Sequence, residues 1–194
     1  MAIALEPRLL FVQFHIDTNC INAESELREM NTLEAWEADE VILPLILSET
    51  ARGESLAGKR DDPIRHSRNR KRHSKANTHI FTIEESDESS PDRFHDVERA
   101  LFPGGATTDN QKRDVRIVCE AQKYGAILVT NDGESTSQPG GIRGNRHKLK
   151  GTVEIMSPAE AVAYVRSKIK QRDDHNRRVV DEYDGELPSW TGQD

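Results

Sequence analysis

Two apolar runs of this 194-residue chain end in the same way. "FVQFHIDTNC" closes at Asp17, Thr18 and Asn19, and "GAILVTNDGES" closes at Thr130, Asn131 and Asp132. Each is a strand-like run that stops at an acid with hydroxyl and amide neighbours. Two further acids are placed to join them: Glu49 in the segment after "VILP", and Asp114 ahead of the amphipathic run that leads into "AILVTND". If the two strands run parallel, Asp17 and Asp132 emerge at one edge of a sheet, with Glu49 and Asp114 candidates for the same edge. Carboxylates gathered there repel, by about 4 kcal/mol for a pair ~4 Å apart at an effective dielectric of ~20. A hard divalent cation, which takes carboxylate and water oxygens, offsets that repulsion. Taken singly, each acid also has an ordinary reading. Glu49 reads as a solvated helix residue, and Asp114 as an N-cap favoured by the helix dipole.

The elements that must position these acids alternate along the chain. Residues 9–16, "LLFVQFHI", read as a central strand. In "NAESELREMNTLEAWEADE", Leu27, Met30, Leu33, Glu34 and Trp36 are spaced for an amphipathic helix. Residues 41–43 predict a short strand, with Pro44 opening a helix through Ile46, Leu47 and Ala51. Residues 79–83 predict a strand, "DRFHDVERALF" a short helix closed by "PGG", and "DVRIVCEAQKY" a helix that stops at Gly125. "AILVT" and "TVEIM" read as buried strands. Ser157, Pro158 and Glu160 form a capping-box start for a helix whose inner stripe is Val162, Val165 and Ile169. The last stretch, from residue 172, is mostly polar and reads as a fraying tail with Trp190 as its anchor. Strand–helix alternation with short connections predicts a three-layer α/β/α fold with a central, mainly parallel sheet. In such sheets ligands sit outside the carboxyl ends of the strands. A hairpin at Asn131-Asp132-Gly133 competes with this reading, but "ESTSQPGG" after it does not alternate.

Charge and cysteine usage narrow the function classes. The net charge is −7, yet "KRDDPIRHSRNRKRHSK" holds eight Lys/Arg against two Asp, and "RGNRHKLK" contains no acid. Arg65, Arg68, Arg70, Lys71 and Arg72 in the first run, and Arg143, Arg146 and Lys148 in the second, are candidates for holding a phosphate backbone. A solvated loop is the alternative for the first run. Cys20 and Cys119 lack metal or disulfide spacing and read as buried small apolar residues in a reducing, cytoplasmic setting. "VILPLIL" is far too short to span a bilayer, and the first residues lack the pattern of a signal peptide. His66, His73 and His79 have no triad partner, and "PGGIRGNRHK" lacks the ending of a P-loop. That stretch reads as a flexible loop beside the site.

The set "IDTNCIN", "LPLILSE" and "RDVRIVCEAQKYGAILVTND" resembles the PIN-domain family of nucleases. The most specific piece runs from Asp114 to Asp132: an acid, an amphipathic helix, a glycine, an apolar strand, then T-N-D. Asp17 stands in "DTN", with Glu49 following by 49 − 17 = 32 residues. The resemblance covers residues 9–164 in outline and implies a PIN-like domain over residues 1–171; the basic insertion near 55–78 and the polar tail over 172–194 are additions it does not explain. It implies a Mg²⁺- or Mn²⁺-dependent endoribonuclease that hydrolyses phosphodiester bonds in single-stranded or structured RNA. Asp17, Glu49, Asp114 and Asp132 would bind or orient the metal. Asn19 and Thr130 would support them, while Asp109 and Glu134 read as ordinary loop acids. Toxin members of the family act as homodimers silenced by an antitoxin protein, so both partners are expectations here, and a membrane is not. The alternatives are a nucleic-acid-binding protein that keeps the fold without cutting, and a nuclease directed at DNA.

Overall fold

The computed structural model describes residues 5–21, 27–38, 45–57, 77–78, 91–133 and 139–194. Its centre is a five-stranded sheet of β1 (Phe14–Ile16), β2 (Leu45–Leu47), β3 (Asn77–Thr78), β4 (Ile127–Val129) and β5 (Ile155–Met156). The strands lie in the order β3-β2-β1-β4-β5, and every pairing is parallel. β1 is central, with Phe14 opposite both Leu45 and Ile127 and Ile16 opposite Val129. Phe14, Leu47, Leu128 and Val129 are fully buried. Continuous burial along both faces is what a parallel sheet covered by helices on each side requires.

Among the described residues the helices are α1 (Thr18–Ile21), α2 (Arg28–Ala38), α3 (Glu49–Ala57), α4 (Pro91–Leu101), α5 (Asp109–Lys123), α6 (Gly141–Gly144) and α7 (Pro158–Tyr183). A 3₁₀ turn at Arg146–Leu149 follows α6. α2 packs on α7, whereas α3 and α4 pack on α5, giving the helical layers of an α/β/α sandwich. Val115, Val118 and Ala121 of α5 and Val162, Val165 and Ile169 of α7 enter the same core as the strands. Tyr164 meets Phe14 edge-on, with ring centroids 6.4 Å apart. Cys20 and Cys119 are buried thiols that form no disulfide. Among the described residues, no helix is long and apolar enough to cross a membrane.

Several boundaries differ from the sequence expectation. The first strand is confined to Phe14–Ile16. Residues 41–44, with the expected strand and Pro44, lie outside the described residues; Ile46 and Leu47, expected in a helix, belong to β2, and α3 begins at Glu49, after Ser48. The expected strand at residues 79–83 lies outside the described residues. α5 starts at Asp109, because Thr108 caps it: the Gln111 N–H donates to Thr108, and the Gln111 side chain accepts from the Thr108 N–H. Asp114 consequently sits in the second turn and is no cap, and Asp109 is the first helical residue. Gly125, with φ +59°, does end that helix region.

The tail is not frayed. α7 runs unbroken from its Ser157–Glu160 capping box to Tyr183, and Arg172, Asp173 and Asn176 are buried. Asn176 accepts from the Glu6 N–H at 2.8 Å and donates back to the Glu6 carbonyl at 3.1 Å. Arg172 donates to Asp173, to Asp194 and to the Arg8 carbonyl, and its guanidinium lies 4.4 Å from the Trp190 ring centroid. Polar contacts therefore hold the last stretch where an apolar stripe is missing, with Trp190 packed as an anchor.

Candidate functional site

β1 and β4 are adjacent and parallel, so Asp17 and Thr130 follow them at the same sheet edge, and the Asp17 N–H donates to the Val129 carbonyl at 2.9 Å. Thr130 is fully buried and serves as a junction. Its hydroxyl donates to Asp17 Oδ2 at 2.5 Å and accepts from Asn19 Nδ2 and from the Asp132 N–H, each at 3.0 Å. Asn19 donates to the same Asp17 oxygen at 2.7 Å, and its own carbonyl oxygen takes the Asn131 N–H at 2.8 Å. "DTN" and "TND" are thus stitched together side chain by side chain. Asn19 and Thr130 occupy supporting positions around Asp17.

Asp132 is held by a second device. Its Oδ2 accepts from the Ile142 N–H at 2.8 Å, and its carbonyl accepts from the Arg143 N–H at 3.1 Å. Gly141 makes that approach possible: at φ +55°, a Cβ there would lie 2.6 Å from Asp132 Oδ2. Asn145 fastens the turn by donating to the Gly141 carbonyl at 2.7 Å and the Pro139 carbonyl at 3.2 Å. The stretch expected as a flexible loop is therefore a short helix and a 3₁₀ turn fixed to an acid of the site.

The fourth acid is the main departure. Glu49 stands at the start of α3, half-exposed, and pairs with Arg52 at 3.3 Å. Glu54, one turn further along, is the residue of α3 that reaches the group. Its Oε2 accepts from the Thr18 hydroxyl at 2.7 Å, and its Oε1 lies 3.8 Å from Arg113. Its charge acts on both Asp17 and Asp114. Residues 49 and 54 differ by five positions, roughly 140° around a helix with 3.6 residues per turn. Only one of them can face β1.

The electrostatics show that these acids share one field. Burial raises Asp17 to about 6, helped by the Glu54 and Asp132 charges and opposed by the Thr130 hydrogen bond. Burial raises Asp114 to about 8, and the other contributors are the carboxylates of Asp17, Asp132 and Glu54. Thus Asp17, Asp114 and Asp132 are brought together as the sequence predicts, with Glu54 in the place expected for Glu49. Among the described residues, no three His, Cys, Asp or Glu side chains stand close enough to chelate a metal as they are.

Beside Asp132 opens a cleft of about 800 Å³ lined by Asn19, Asn131, Gly133, Arg143, Gly144, Arg146 and His147. Arg146 donates to Glu160 at 2.7 Å, and with the Ser157 N–H this pulls Glu160 down to about 2. Lys148 donates to Asn145 and does not line the cleft. Arg65, Arg68, Arg70, Lys71 and Arg72 lie outside the described residues, as do Glu134, His66, His73 and His79.

Fold and site together define an α/β protein with an acid group at the carboxyl edge of a parallel sheet. No protein-family model matches the sequence, and no curated protein is similar to it. Solved structures similar to the chain include VapBC2 from Rickettsia felis bound to a promoter DNA fragment. That likeness has 16% identity and a TM-score of 0.49, and covers 75% of this chain and 98% of the other. Another is PAE2754 from Pyrobaculum aerophilum, with 14% identity and a TM-score of 0.44, covering 80% of this chain and 96% of that one. TM-scores below one half leave the functional reading to this chain's own side chains.

Proposed function

We propose that the chain is a metal-dependent endoribonuclease of the PIN class, with Asp17, Glu54, Asp114 and Asp132 as its acid group. The observation that supports this most is the electrostatic conflict at the sheet edge. Asp17 is buried and Asp114 half-buried, both are raised well above the usual carboxylate range, and what adds to burial is the charge of the other acids. Acids held together at such a cost mark a candidate functional site.

The donor chemistry fits Mg²⁺ or Mn²⁺: every candidate ligand is a carboxylate oxygen, and a divalent charge relieves the repulsion that raises Asp17 and Asp114. Because no three of these acids are within chelating distance, binding has to draw them inward or use bridging water. Asp17 and Asp132 are the fixed members, held by Thr130, Asn19 and the Ile142 N–H. Glu54 and Asp114 come from helices and adjust. A bound cation supplies polarisation of a phosphate and activation of a water. The protein's own contribution is to orient the carboxylates, and an ionised acid can take the proton of the attacking water. RNA as substrate, Mg²⁺ or Mn²⁺ as cofactor, and an antitoxin partner or homodimer follow from the motif resemblance and stand as parts of the proposal.

The test is cleavage of a fluorogenic single-stranded RNA in Mn²⁺, Mg²⁺ or EDTA, with Asp17→Asn beside the parent. Metal-dependent cutting that disappears in the variant is the expected outcome. Binding of RNA without cutting under any metal would move the chain to the non-cleaving alternative. Cutting of single-stranded DNA in preference to RNA would redirect the substrate assignment.

A further inference from the structure

The cleft beside Asp132 couples an acidic side to a basic one. Asp132, Asn19 and Asn131 line it together with Arg143, Arg146 and His147. We infer that its basic side is a subsite for the phosphate neighbouring the one that is cut, with Arg143 as its ligand. The inference rests on the nuclease reading and deepens it.

Three observations single out Arg143. First, its position is tied to the acid group, since the Arg143 N–H donates to the Asp132 carbonyl and the preceding N–H donates to the Asp132 carboxylate. A guanidinium mounted this way keeps a fixed register to the reacting centre. Second, it is not neutralised: among the described residues no carboxylate pairs with it, its one side-chain bond is a long 3.4 Å contact to Asn131, and its Nε is buried without a hydrogen-bond partner. A buried donor left unpaired is costly, and a phosphate oxygen is the acceptor a guanidinium fork fits best. Third, of the other cations of this run, Arg146 is committed to Glu160 and Lys148 to Asn145, and Lys150 does not line the cleft.

The lining also says what is read. Asn19 spends its amide on Asp17 and Thr130 and its carbonyl on the Asn131 N–H. Asn131 Oδ1 already accepts from Arg143. A guanidinium on a phosphate reads charge, so the Arg143 contact orients the strand without selecting sequence.

The test measures binding, so it does not depend on cutting. Full-length Asp17→Asn protein is titrated by anisotropy with a short labelled single-stranded RNA in EDTA, across a range of salt. Arg143→Gln added to it lowers affinity about tenfold and flattens the log–log salt slope by about 0.7, the loss of one phosphate contact. Arg143→Lys keeps the slope and loses part of the affinity, because the charge stays and the fork goes. Replacing single phosphates by neutral methylphosphonate needs no variant of Arg143: one position next to the cut site should weaken binding about tenfold, and Arg143→Gln should be indifferent to it. An unchanged slope in Arg143→Gln, or equal binding of every methylphosphonate RNA, overturns the subsite. So does Arg143→Gln weakening an acidic peptide and leaving RNA untouched. Failure of the parent protein to cut RNA, with the Arg143 effects intact, refutes the nuclease reading and keeps the subsite. Normal cutting with an unchanged slope does the reverse.

Discussion

Replacing Asp114 by Asn removes an acid whose burial and acidic neighbours raise it to about 8. The consequence for stability has a definite sign. Unfolded, this carboxyl ionises near the ordinary aspartate value of 3.8; folded, it keeps its proton until about 8. Between those values the folded state binds more protons than the unfolded one, so stability is greatest below the lower value and falls as pH rises through the window. The slope is about 1.4 kcal/mol per pH unit for one fully retained proton. From pH 5 to pH 7 that is at most about 3 kcal/mol, and because Asp17 shares the same field, about 2 kcal/mol is the working figure. In a chain of this size that corresponds to about 4–8 °C in Tm. Asp114→Asn cannot ionise and should lack this contribution. The assay is thermal unfolding in EDTA at pH 5, 6 and 7.5, reading the variant against the parent. The gap between the two should be smaller at pH 5 and should widen in the variant's favour by pH 7.5. A pH-independent difference, or a variant less stable at pH 7.5, would refute the reasoning and make Asp114 an ordinary helix residue.

Other perturbations test separate joints of the account. Gly141→Ala places a Cβ 2.6 Å from Asp132 Oδ2 at a positive φ; it should cost about 1–2 kcal/mol in stability and slow single-turnover cleavage at least ~100-fold, since Asp132 must move. Arg172→Ala leaves the buried Asp173 without its cation and Asp194 with Arg8 alone; chemical denaturation should show a loss of about 3–5 kcal/mol, and a loss under about 1 kcal/mol would mean that the tail does not depend on this network. Manganese at about ten times its Kd should raise the Tm of the parent by about 3–6 °C and leave Asp17→Asn unmoved; an equal rise in both would place the ion elsewhere.

What could be read from the sequence was governed by periodicity and by local motifs. "AILVT" and "TVEIM" yielded β4 and β5, and the acids in "DTN" and "TND" were assigned to one edge because parallel strands bring their carboxyl ends together. Ile46 and Leu47 read as helix although they form β2, because "VILPLIL" is apolar throughout and no periodicity separates strand from helix there. The start of α5 was missed although Thr108 and Gln111 spell a capping box, which moved Asp114 from a cap to an inward-facing helical position. Glu49 and Glu54 could not be told apart by spacing: both are acids of one helix, and which side meets β1 is a tertiary fact. The last turns of α7 carry no apolar stripe. Arg172 and Asn176 are buried by pairing with Arg8, Asp194 and Glu6, partners more than 160 residues away or at the last position of the sequence, and Asp173 by pairing with Arg172 and the Gly192 N–H. Such polar burial leaves no local signature.

The most direct measurement runs metal-dependent cleavage of one single-stranded RNA on the parent, Glu54→Gln and Glu49→Gln in parallel. The account predicts Mn²⁺- or Mg²⁺-dependent cutting by the parent, its loss in Glu54→Gln by about 100-fold or more, and near-parent activity in Glu49→Gln. Cutting lost in Glu49→Gln and kept in Glu54→Gln, or no metal-dependent cutting by the parent at all, would contradict it.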